Sequence, residues 1–271
     1  MMENTIAVIM SIYEKDNPGY VCQSIESILN QDIHCDILIY RDGKVNAELQ
    51  QTLTYYANNT RCYIFEGNNN LGLAHALNFL INITLKGRYK FIARMDSDDI
   101  SHPERLRKQR DFMQTFDDID VLGTSCKEFG SDFALSKKNL PINHNELIKF
   151  SITRCPLIHP SVMFRSKVFE KGYRYPLQTS LTEDMAFWFH LLSEGFIFAN
   201  INEVLLHYRI SESMINRRKG IKKAICEVKL RIRYMFSLKQ FSLRNLMMII
   251  SRIFFHLLPN KFMRIAYKWG R

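Results

Sequence analysis

The sequence predicts an α/β fold in which a mostly parallel sheet is flanked by helices. In residues 1–116, short apolar runs rich in β-branched and aromatic residues alternate with segments of helical periodicity. Strands separated by helices of ten or more residues pair in parallel through right-handed crossovers. The chain has 271 residues, of which 46% are hydrophobic, so it can bury a large core without disulfides.

The elements predicted in residues 1–116 follow from local composition. Each strand is a short apolar run, and each helix places apolar side chains three and four positions apart. An Asp-Gly pair ends the second strand, and a proline begins the last helix at its favoured first turn. In chain order they are strand 5–12, helix 20–30, strand 36–40, helix 45–58, strand 61–65, helix 72–85, strand 89–95 and helix 103–116.

Residues 117–210 are less regular but continue the same domain, because no repeat or low-complexity linker separates them from the first half. We therefore expect one domain over 1–210, followed by a tail over 211–271. The pattern in this second half predicts strands at 119–123, 161–165 and 204–208 and helices at 145–153 and 183–193.

The net charge of +10 is unevenly distributed along the chain. Residues 1–216 contain 22 basic and 26 acidic residues, whereas residues 217–271 contain 15 basic residues and the single acid Glu227. The body is thus mildly acidic (−4) and the tail strongly basic (+14). Since no nucleic-acid-binding motif accompanies the basic tail, we expect no nucleic acid as partner.

Neither the cysteines nor the hydropathy pattern indicates secretion or membrane insertion. The six cysteines form no C-x-x-C pair, which indicates reduced thiols rather than a zinc site or a disulfide framework. The first residues lack the basic and long apolar regions of a secretory signal, and no apolar run reaches the roughly 18 residues of a membrane span. We expect a cytoplasmic protein.

Three carboxylates, those of Asp96, Asp98 and Asp99, directly follow the fourth predicted strand. Ligands bind at the carboxyl ends of parallel strands, and like charges this close require a counter-charge. Mn²⁺ or Mg²⁺ supplies that charge, because these ions prefer hard oxygen ligands and complete their shells with water and substrate phosphates. The alternative is that Asp98 or Asp99 caps the helix that begins near Pro103, although a cap requires one acid rather than three.

The segment around these acids, ARMDSDDISHPERL at 93–106, resembles the D-x-D region of the family-two glycosyltransferases. These are nucleotide-sugar enzymes with the GT-A fold, a Rossmann-like sheet flanked by helices. The resemblance covers about residues 5–210 and implies a nucleotide-binding half at 1–116 and an acceptor-side half at 117–210. The further matching segments are VIMSIY at 8–13, IYRDG at 39–43, NLGLAHALN at 70–78, IHPSVMFR at 158–165 and TEDMAFW at 182–188.

The resemblance implies roles for the matched residues of a donor site. Ser11 and Asp42 would contact the base of the nucleotide, and Asp96 would bind the ribose. Asp98 would bind the metal that bridges the diphosphate. Arg209 would face the diphosphate, since a guanidinium suits phosphate oxygens, or else form a surface ion pair.

On the acceptor side, the resemblance implies that Asp184 is the catalytic base. Glu183, Trp188 and His159 would line the acceptor pocket. Two alternatives remain open at this point. Glu183 and Asp184 would favour the dipole of the helix that they begin even without a catalytic role, and Pro160 would stop a segment before the next strand whether or not His159 contacts an acceptor.

Three positions depart from the family pattern, and one of them is Lys44, where the family often has serine or threonine. Arg41 stands where the family usually has an aspartate, which leaves Asp42 as the acid at that strand end. Ser211 stands where a late histidine is usual. His207 is the substitute candidate for a metal ligand, or else a core histidine on an apolar strand.

These residues together imply inverting, metal-dependent transfer of a sugar from a UDP-sugar to a hydroxyl of a saccharide acceptor. The acceptor would be lipid-linked, as in the synthesis of O-antigen, capsule or exopolysaccharide. In such a transfer, a carboxylate must accept the proton of the attacking hydroxyl and a metal must neutralise the leaving diphosphate. The alternatives are a nucleotidyl- or phosphotransferase that uses the same acids, and a non-catalytic membrane-associated subunit.

The basic tail contains an apolar stripe over residues 236–258 that is flanked and interrupted by lysines and arginines. This pattern favours one or two amphipathic helices that lie on an anionic membrane surface. Such a tail would suit an enzyme whose acceptor is lipid-linked and would hold it peripherally at the inner face of the cell membrane. The alternative is that the helices pack on the body of the protein, with their charges facing solvent.

Overall fold

The structure is a computed structural model that describes residues 5–179, 182–211 and 220–257. The strands in this part of the chain are β1 Ile6–Tyr13, β2 Asp36–Asp42, β3 Cys62–Glu66, β4 Phe91–Arg94, β5 Ile100–Ser101, β6 Val121–Phe129, β7 Met163–Arg165 and β8 Phe198–Arg209. The α-helices are α1 Pro18–Leu29, α2 Ala47–Ala57, α3 Leu73–Lys86, α4 Arg105–Thr115, α5 His144–Ser151, α6 Lys167–Glu170, α7 Glu183–Ser193, α8 Ile221–Ser237 and α9 Leu243–Leu257.

The described strands form one eight-stranded sheet in the order β3-β2-β1-β4-β7-β6-β8-β5. Strands β1 to β4 pair in parallel, and β6 pairs in parallel with β8. Strand β7 runs antiparallel between β4 and β6, and β5 runs antiparallel to β8. The prediction of a mostly parallel α/β sheet is therefore confirmed, and the carboxyl ends of β1, β2 and β4 meet at one edge.

The two faces of the sheet bury separate apolar clusters. Along β1, Val8 and Met10 contact the cluster that holds α1, α2 and α4, whereas Ala7 and Ile9 contact the cluster that holds α3 and α7. This alternation is expected because successive side chains of a strand point to opposite faces. Helices on both faces explain why β1 contains almost continuous apolar sequence.

The predicted elements of residues 1–116 are confirmed, with bounds that shift by about two residues. In the second half, β6 and β8 are longer than predicted, because polar side chains in the strands hide the apolar pattern. Asn200, for example, is buried in β8 and donates to the carbonyl oxygens of Pro141 and Pro156. Strand β5 and helix α6 were not predicted, since two and four residues are too short to show a period.

The described part of the basic tail forms a helical hairpin, α8 and α9, that packs on the body. Met185 and Phe189 of α7 share an apolar cluster with Val228, Met235 and Ile249 of the hairpin. The alternative of packing on the body is thus realised for one face of these helices. Residues 212–219 and 258–271, which include much of the predicted basic and apolar tail, lie outside the described residues. None of the described helices is long and apolar enough to cross a membrane.

A buried charge cluster fixes the hairpin to the end of α5. Arg231 is fully buried and donates to the carbonyl oxygens of Ser151 and Ile152, at 2.8 and 2.7 Å. Glu227, which is also buried, accepts from Arg231 at 3.0 Å and from Arg252 at 2.7 Å. These ion pairs and hydrogen bonds connect α8 to α9 and to the end of α5.

Candidate active site

The carboxylates of Asp96, Asp98 and Asp99 lie in the turn that follows β4. Their oxygens approach to within 4.8 Å of one another, as a group that could hold a metal ion. The turn is tied to α1 by the Ser24 hydroxyl, which donates to the backbone carbonyl of Asp96 at 2.7 Å. The predicted crowding of the three acids is therefore observed at the carboxyl edge of the sheet.

The electrostatics of this turn fit a divalent cation. Burial and the neighbouring charge of Asp96 raise the pKa of Asp98 to about 6, and burial raises the pKa of Asp99 well above its usual 3.8. Asp99 is fully buried, and its Oδ2 has no hydrogen-bond partner among the described residues. A cation bound to these hard oxygens would relieve both the repulsion and the unpaired atom.

The alternative role of Asp98 or Asp99 as a helix cap is not what the structure shows. Helix α4 begins at Arg105, and in its first turn the backbone N–H of Leu106 donates to Gln31 Oε1 at 3.0 Å rather than to Asp98 or Asp99. Asp99 instead accepts the backbone N–H of Arg209 at 2.7 Å. The acids therefore group with one another and bind the backbone of β8, and they do not cap α4.

Arg209, at the end of β8, contacts the turn that carries Asp96, Asp98 and Asp99, which we call the acid turn. Its guanidinium lies between the rings of Tyr20 and Phe129, 3.7 and 4.3 Å from their centroids, in cation–π geometry. Its Nε donates to the backbone carbonyl of Asp98 at 2.7 Å. The described contacts of Arg209 thus hold the turn, while the predicted contact with a diphosphate remains a prediction.

His207 does not join the carboxylate group. It lies in β8 opposite Ile100 of β5, two positions before Arg209. Burial and the positive charges of Lys127 and His102 lower its pKa, and no acid of the turn contributes. Among the described residues, the group that could hold a metal comprises only the three aspartates. The structure therefore favours the alternative that His207 is a histidine within a strand over the prediction that it binds a metal.

Arg94, the last residue of β4, was not identified from the sequence. It is 1% exposed, and its Nη2 forms an ion pair with Asp96 Oδ1. Its Nε and Nη1 have no hydrogen-bond partner in the described part of the chain. A basic residue at the end of an apolar strand was the available signal. The guanidinium puts a fixed positive charge beneath the acid turn.

Asp16 is a second residue that the sequence did not reveal. It follows β1, accepts the backbone N–H of Tyr13 at 3.0 Å and contacts the side chain of Ser97. Burial is the main cause that raises its pKa to about 7, and the charges of Asp96 and Asp98 add to the effect. Only the tertiary fold brings this fourth acid to the turn.

Glu183 and Asp184 form the first turn of α7, as predicted, and both are half-buried. Burial raises the pKa of Glu183, while the charges of Lys223 and Arg94 oppose the shift. Asp184 Oδ1 accepts the backbone N–H of Met185 at 2.7 Å. The charge of Arg94 therefore acts on both the acid turn and Glu183 and links the two groups of acids electrostatically.

The charges of both groups of acids act on Tyr175. Burial raises the pKa of its phenol, Arg94 lowers it, and Asp184, Glu183 and Asp96 raise it further. The backbone of Tyr175 is fixed by Asn78 of α3, which donates to its carbonyl at 2.8 Å and accepts its N–H at 2.9 Å. The matched segment 70–78 therefore supports the centre of the site through its last residue.

His159 and Trp188 lie in a group of aromatic side chains, in which the His159 ring contacts the rings of Tyr175 and Trp188. Trp188 is fully buried and packs against Phe164 and Phe198, and its predicted contact with an acceptor stays a prediction. Trp188 lies one helical turn after Asp184, where the side chains of α7 are buried in the apolar core. His159 is half-buried, its Nε2 hydrogen-bonds the Tyr175 hydroxyl at 2.9 Å, and burial lowers its pKa well below the usual 6.5. It is thus a neutral partner of Tyr175.

Asp42 and Ser11 lie at neighbouring strand ends, but Asp42 has a role that was not predicted. It is 2% exposed, and its two carboxylate oxygens each accept one backbone N–H at 2.8 Å, from Leu71 and Gly72. It therefore holds the loop before α3, and both oxygens that were expected to receive a base N–H are engaged. Ser11 is half-buried in β1 beside β2.

Gly43 permits this arrangement of the loop. Its φ of +87° is in the left-handed region that favours glycine. A Cβ at this position would also lie 2.8 Å from the backbone nitrogen of Asn70. Any larger residue would push the two loops apart.

We expect Arg94→Met to lower kcat for transfer by about a hundredfold, because Asp96 loses its fixed partner. We also expect a loss of about 2 kcal/mol of stability, less than for a fully buried pair because Asp96 is 31% exposed. The kcat and the stability of Arg94→Lys should lie between those of the wild type and those of Arg94→Met. Steady-state kinetics and thermal unfolding measure both effects, with Arg110→Met on the surface as the control. Equal kcat values in Arg94→Met and Arg110→Met would contradict this role.

Stabilisation by Mn²⁺ should be larger at pH 7.5 than at pH 5. Since the pKa of Asp98 is raised from 3.8 to about 6, the folded protein holds an additional proton between these values. That proton competes with the metal, and without metal the contribution of Asp98 to stability falls as the pH rises through this window. Thermal shifts with and without Mn²⁺ across pH 5 to 7.5 measure the effect. A shift that does not change with pH would contradict it.

Comparison with known proteins places the chain in a family. The family model described as Glycosyl transferase family 2 matches residues 7–173. The UDP-Gal:alpha-D-GlcNAc-diphosphoundecaprenol beta-1,3-galactosyltransferase of Escherichia coli is 34% identical over 271 residues, which cover 97% of this chain and 94% of that protein. The amylovoran biosynthesis glycosyltransferase AmsE of Erwinia amylovora is 32% identical over 270 residues, which cover 98% of each.

Solved structures agree on the fold. The mannosyltransferase PcManGT from Pyrobaculum calidifontis, in complex with GDP-Man and Mn²⁺, matches with a TM-score of 0.65 at 13% identity. The match covers 97% of this chain and 84% of that one. The sheet, the acid turn and the family match lead to one conclusion: this chain is a glycosyltransferase that belongs to glycosyl transferase family 2 and has the GT-A fold.

Proposed function

We propose that the protein transfers a sugar from a UDP-sugar to a hydroxyl of a lipid-linked saccharide, with inversion at the anomeric carbon. The reaction would serve cell-surface polysaccharide synthesis at the cytoplasmic side of the membrane. The observation that carries the proposal is the convergence of two groups of acids on Arg94. One is the metal-type turn after β4, and the other is Glu183–Asp184 at the start of α7.

The donor would bind at the carboxyl edge of the sheet. Asp98, with Asp96 and Asp99 beside it, would hold Mn²⁺ or Mg²⁺. When bound, the ion neutralises the charge that develops on the departing diphosphate. Ser11 would face the nucleoside from β1, and Asp42 would act through the loop that it holds.

On the acceptor side, Asp184 would accept the proton of the attacking hydroxyl. The hydroxyl oxygen forms a bond to the anomeric carbon from the face opposite the leaving group. The bond from that carbon to the diphosphate breaks, and its electron pair leaves with the nucleotide. Glu183 would contact the acceptor beside Asp184, while Tyr175 and its partner His159 would fix the floor between donor and acceptor.

The names of the relatives support the acceptor class. The Escherichia coli protein acts on GlcNAc-diphosphoundecaprenol, a lipid-linked sugar, and AmsE takes part in amylovoran biosynthesis. Since each matches this chain over nearly its whole length, a lipid-linked acceptor in a surface-polysaccharide pathway is the proposal that fits both.

A donor screen tests the proposed function. The purified protein is incubated with a panel of UDP-, GDP- and dTDP-sugars and a synthetic GlcNAc-diphospholipid, with Mn²⁺ or with EDTA. We expect UDP release and a disaccharide product from one UDP-sugar with Mn²⁺ and none with EDTA. Pyrophosphate or a new nucleotide sugar as product would favour a nucleotidyltransferase. Nucleotide binding without turnover by any donor would favour a non-catalytic subunit.

A further inference from the structure

The outer face of the α8–α9 hairpin exposes large apolar side chains. They follow helical spacing along α9, and two stacked rings, those of Phe236 and Phe241, lie at the turn between the helices with centroids 5.3 Å apart. Exposure of these residues ranges from 42% to 68%. We call this surface the hairpin face, and it consists of Ile225, Phe236, Phe241, Leu243, Met247 and Ile250.

The described residues of the hairpin itself carry exposed positive charge and no exposed negative charge. Lys229 and Arg233 of α8, Arg244 of α9 and Lys239 in the turn between them are exposed. The single acid of residues 220–257 is Glu227, which is buried in the ion cluster with Arg231 and Arg252. Apolar residues flanked by cations match the interface of an anionic bilayer, where the apolar side chains insert and the cations meet lipid phosphates.

The inner face of the same hairpin is fixed to the helix that carries the acceptor-side acids. Phe189 of α7 stacks on Tyr234 of α8, with centroids 4.9 Å apart and planes 4° apart. Lys223, near the start of α8, is close enough to Glu183 to lower its pKa. A surface that the hairpin face meets therefore has a fixed position relative to Glu183 and Asp184.

We propose that the hairpin face docks on an anionic lipid bilayer and that docking presents the acids of α7 to acceptors anchored in that bilayer. This inference rests on the proposed function, of which it names the partner surface. It requires no spanning segment, since helices with one apolar face lie in the plane of the interface. Catalysis on an acceptor without a lipid would not depend on it.

Charge argues for a bilayer over two other occupants. A second copy of the chain would bring two basic hairpins together, and like charges repel. The C-terminal residues 258–271 contain Lys261, Arg264, Lys268 and Arg271 and no acid, so covering the face with them would also oppose like charges. An anionic bilayer complements both the apolar and the basic side chains.

Vesicle binding by the full-length protein tests the docking. Vesicles of phosphatidylcholine alone are compared with vesicles that contain phosphatidylglycerol, by co-sedimentation. We expect the wild type to bind the anionic vesicles at least about tenfold more tightly. The hairpin-face variant should lose about tenfold in this affinity, and the control variant none. The hairpin-face variant is Phe236→Ser, Phe241→Ser and Leu243→Ser, and the control replaces Tyr55, Phe116 and Ile142, which are exposed apolar or aromatic residues of the body, by Ser.

Activity on two acceptors separates this inference from the proposed function. Transfer to a short-chain, water-soluble acceptor should be equal in the wild type, the hairpin-face variant and the control. Transfer to a long-chain acceptor in anionic vesicles should fall about tenfold in the hairpin-face variant alone. Wild-type protein that transfers sugar to the soluble acceptor but does not distinguish the two kinds of vesicle would overturn the docking and leave the function intact. Loss of self-association in the hairpin-face variant, with vesicle binding unchanged, would overturn it in favour of a second copy.

Discussion

Replacing Asp98 with Asn should lower kcat for sugar transfer by about a thousandfold and abolish stabilisation by Mn²⁺. Asp98 belongs to the group of carboxylates that could hold a metal, and its backbone carbonyl is fixed by Arg209. An amide keeps the shape of the side chain but offers one neutral oxygen instead of a charged carboxylate. Steady-state kinetics and thermal shift with Mn²⁺ measure the two losses.

The sign of the stability change distinguishes this result from unfolding. At neutral pH the ionised Asp98 lies in a buried turn beside Asp96, which is why its pKa is raised. Asp98→Asn removes that repulsion, so the metal-free variant should melt at the same or a higher temperature than the wild type. Asp117→Asn, at an exposed acid, is the control. An Asp98→Asn protein that is folded and fully active would exclude the assigned metal site.

Asp184→Asn should also reduce kcat by about a thousandfold, while the Kd of UDP with Mn²⁺ stays unchanged. The asparagine cannot accept the proton of the attacking hydroxyl, whereas the proposed donor contacts lie on β1, β2 and the turn after β4. Kinetics at saturating donor and nucleotide titration measure the two quantities separately.

Glu183 at the start of α7 and Glu194 directly after its end provide comparisons for Asp184. Glu183→Gln should raise KM for the acceptor more than it lowers kcat, since Glu183 is assigned to acceptor binding. Glu194→Gln, at the far end of the helix, should leave both unchanged. If Asp184→Asn lost nucleotide affinity together with kcat, the residue would belong to the donor site and another group would have to be the base.

The sheet was predictable because its signals are local. Apolar runs and helical spacing in residues 1–116 determine the order of elements, and parallel pairing follows from the helices between the strands. The place of the acid turn follows in turn, since Asp98 and its neighbours stand at the end of a strand. The start of α7 at Glu183 was predictable for the same reason.

The side-chain partners of the site were less predictable, since they come from distant parts of the chain. Asp42 is engaged by Leu71 and Gly72, and Arg209 reaches Asp98 across 111 positions. A motif identifies the residue but not the atom that its side chain contacts. For Trp188, helical spacing predicted a position one turn after Asp184. Its burial depends on the tertiary packing of α7 and was not predictable from the spacing.

The anomeric configuration of the product is the measurement that tests the central claim most directly. If the donor is held at the acid turn and Asp184 activates the acceptor hydroxyl from the opposite side, transfer is a single displacement. An α-linked UDP-sugar must then give a β-linked disaccharide, which the coupling constant of the anomeric proton in the NMR spectrum of the purified product reports. A β-linked product is the predicted result. An α-linked product would contradict the mechanism and the role of Asp184 as its base.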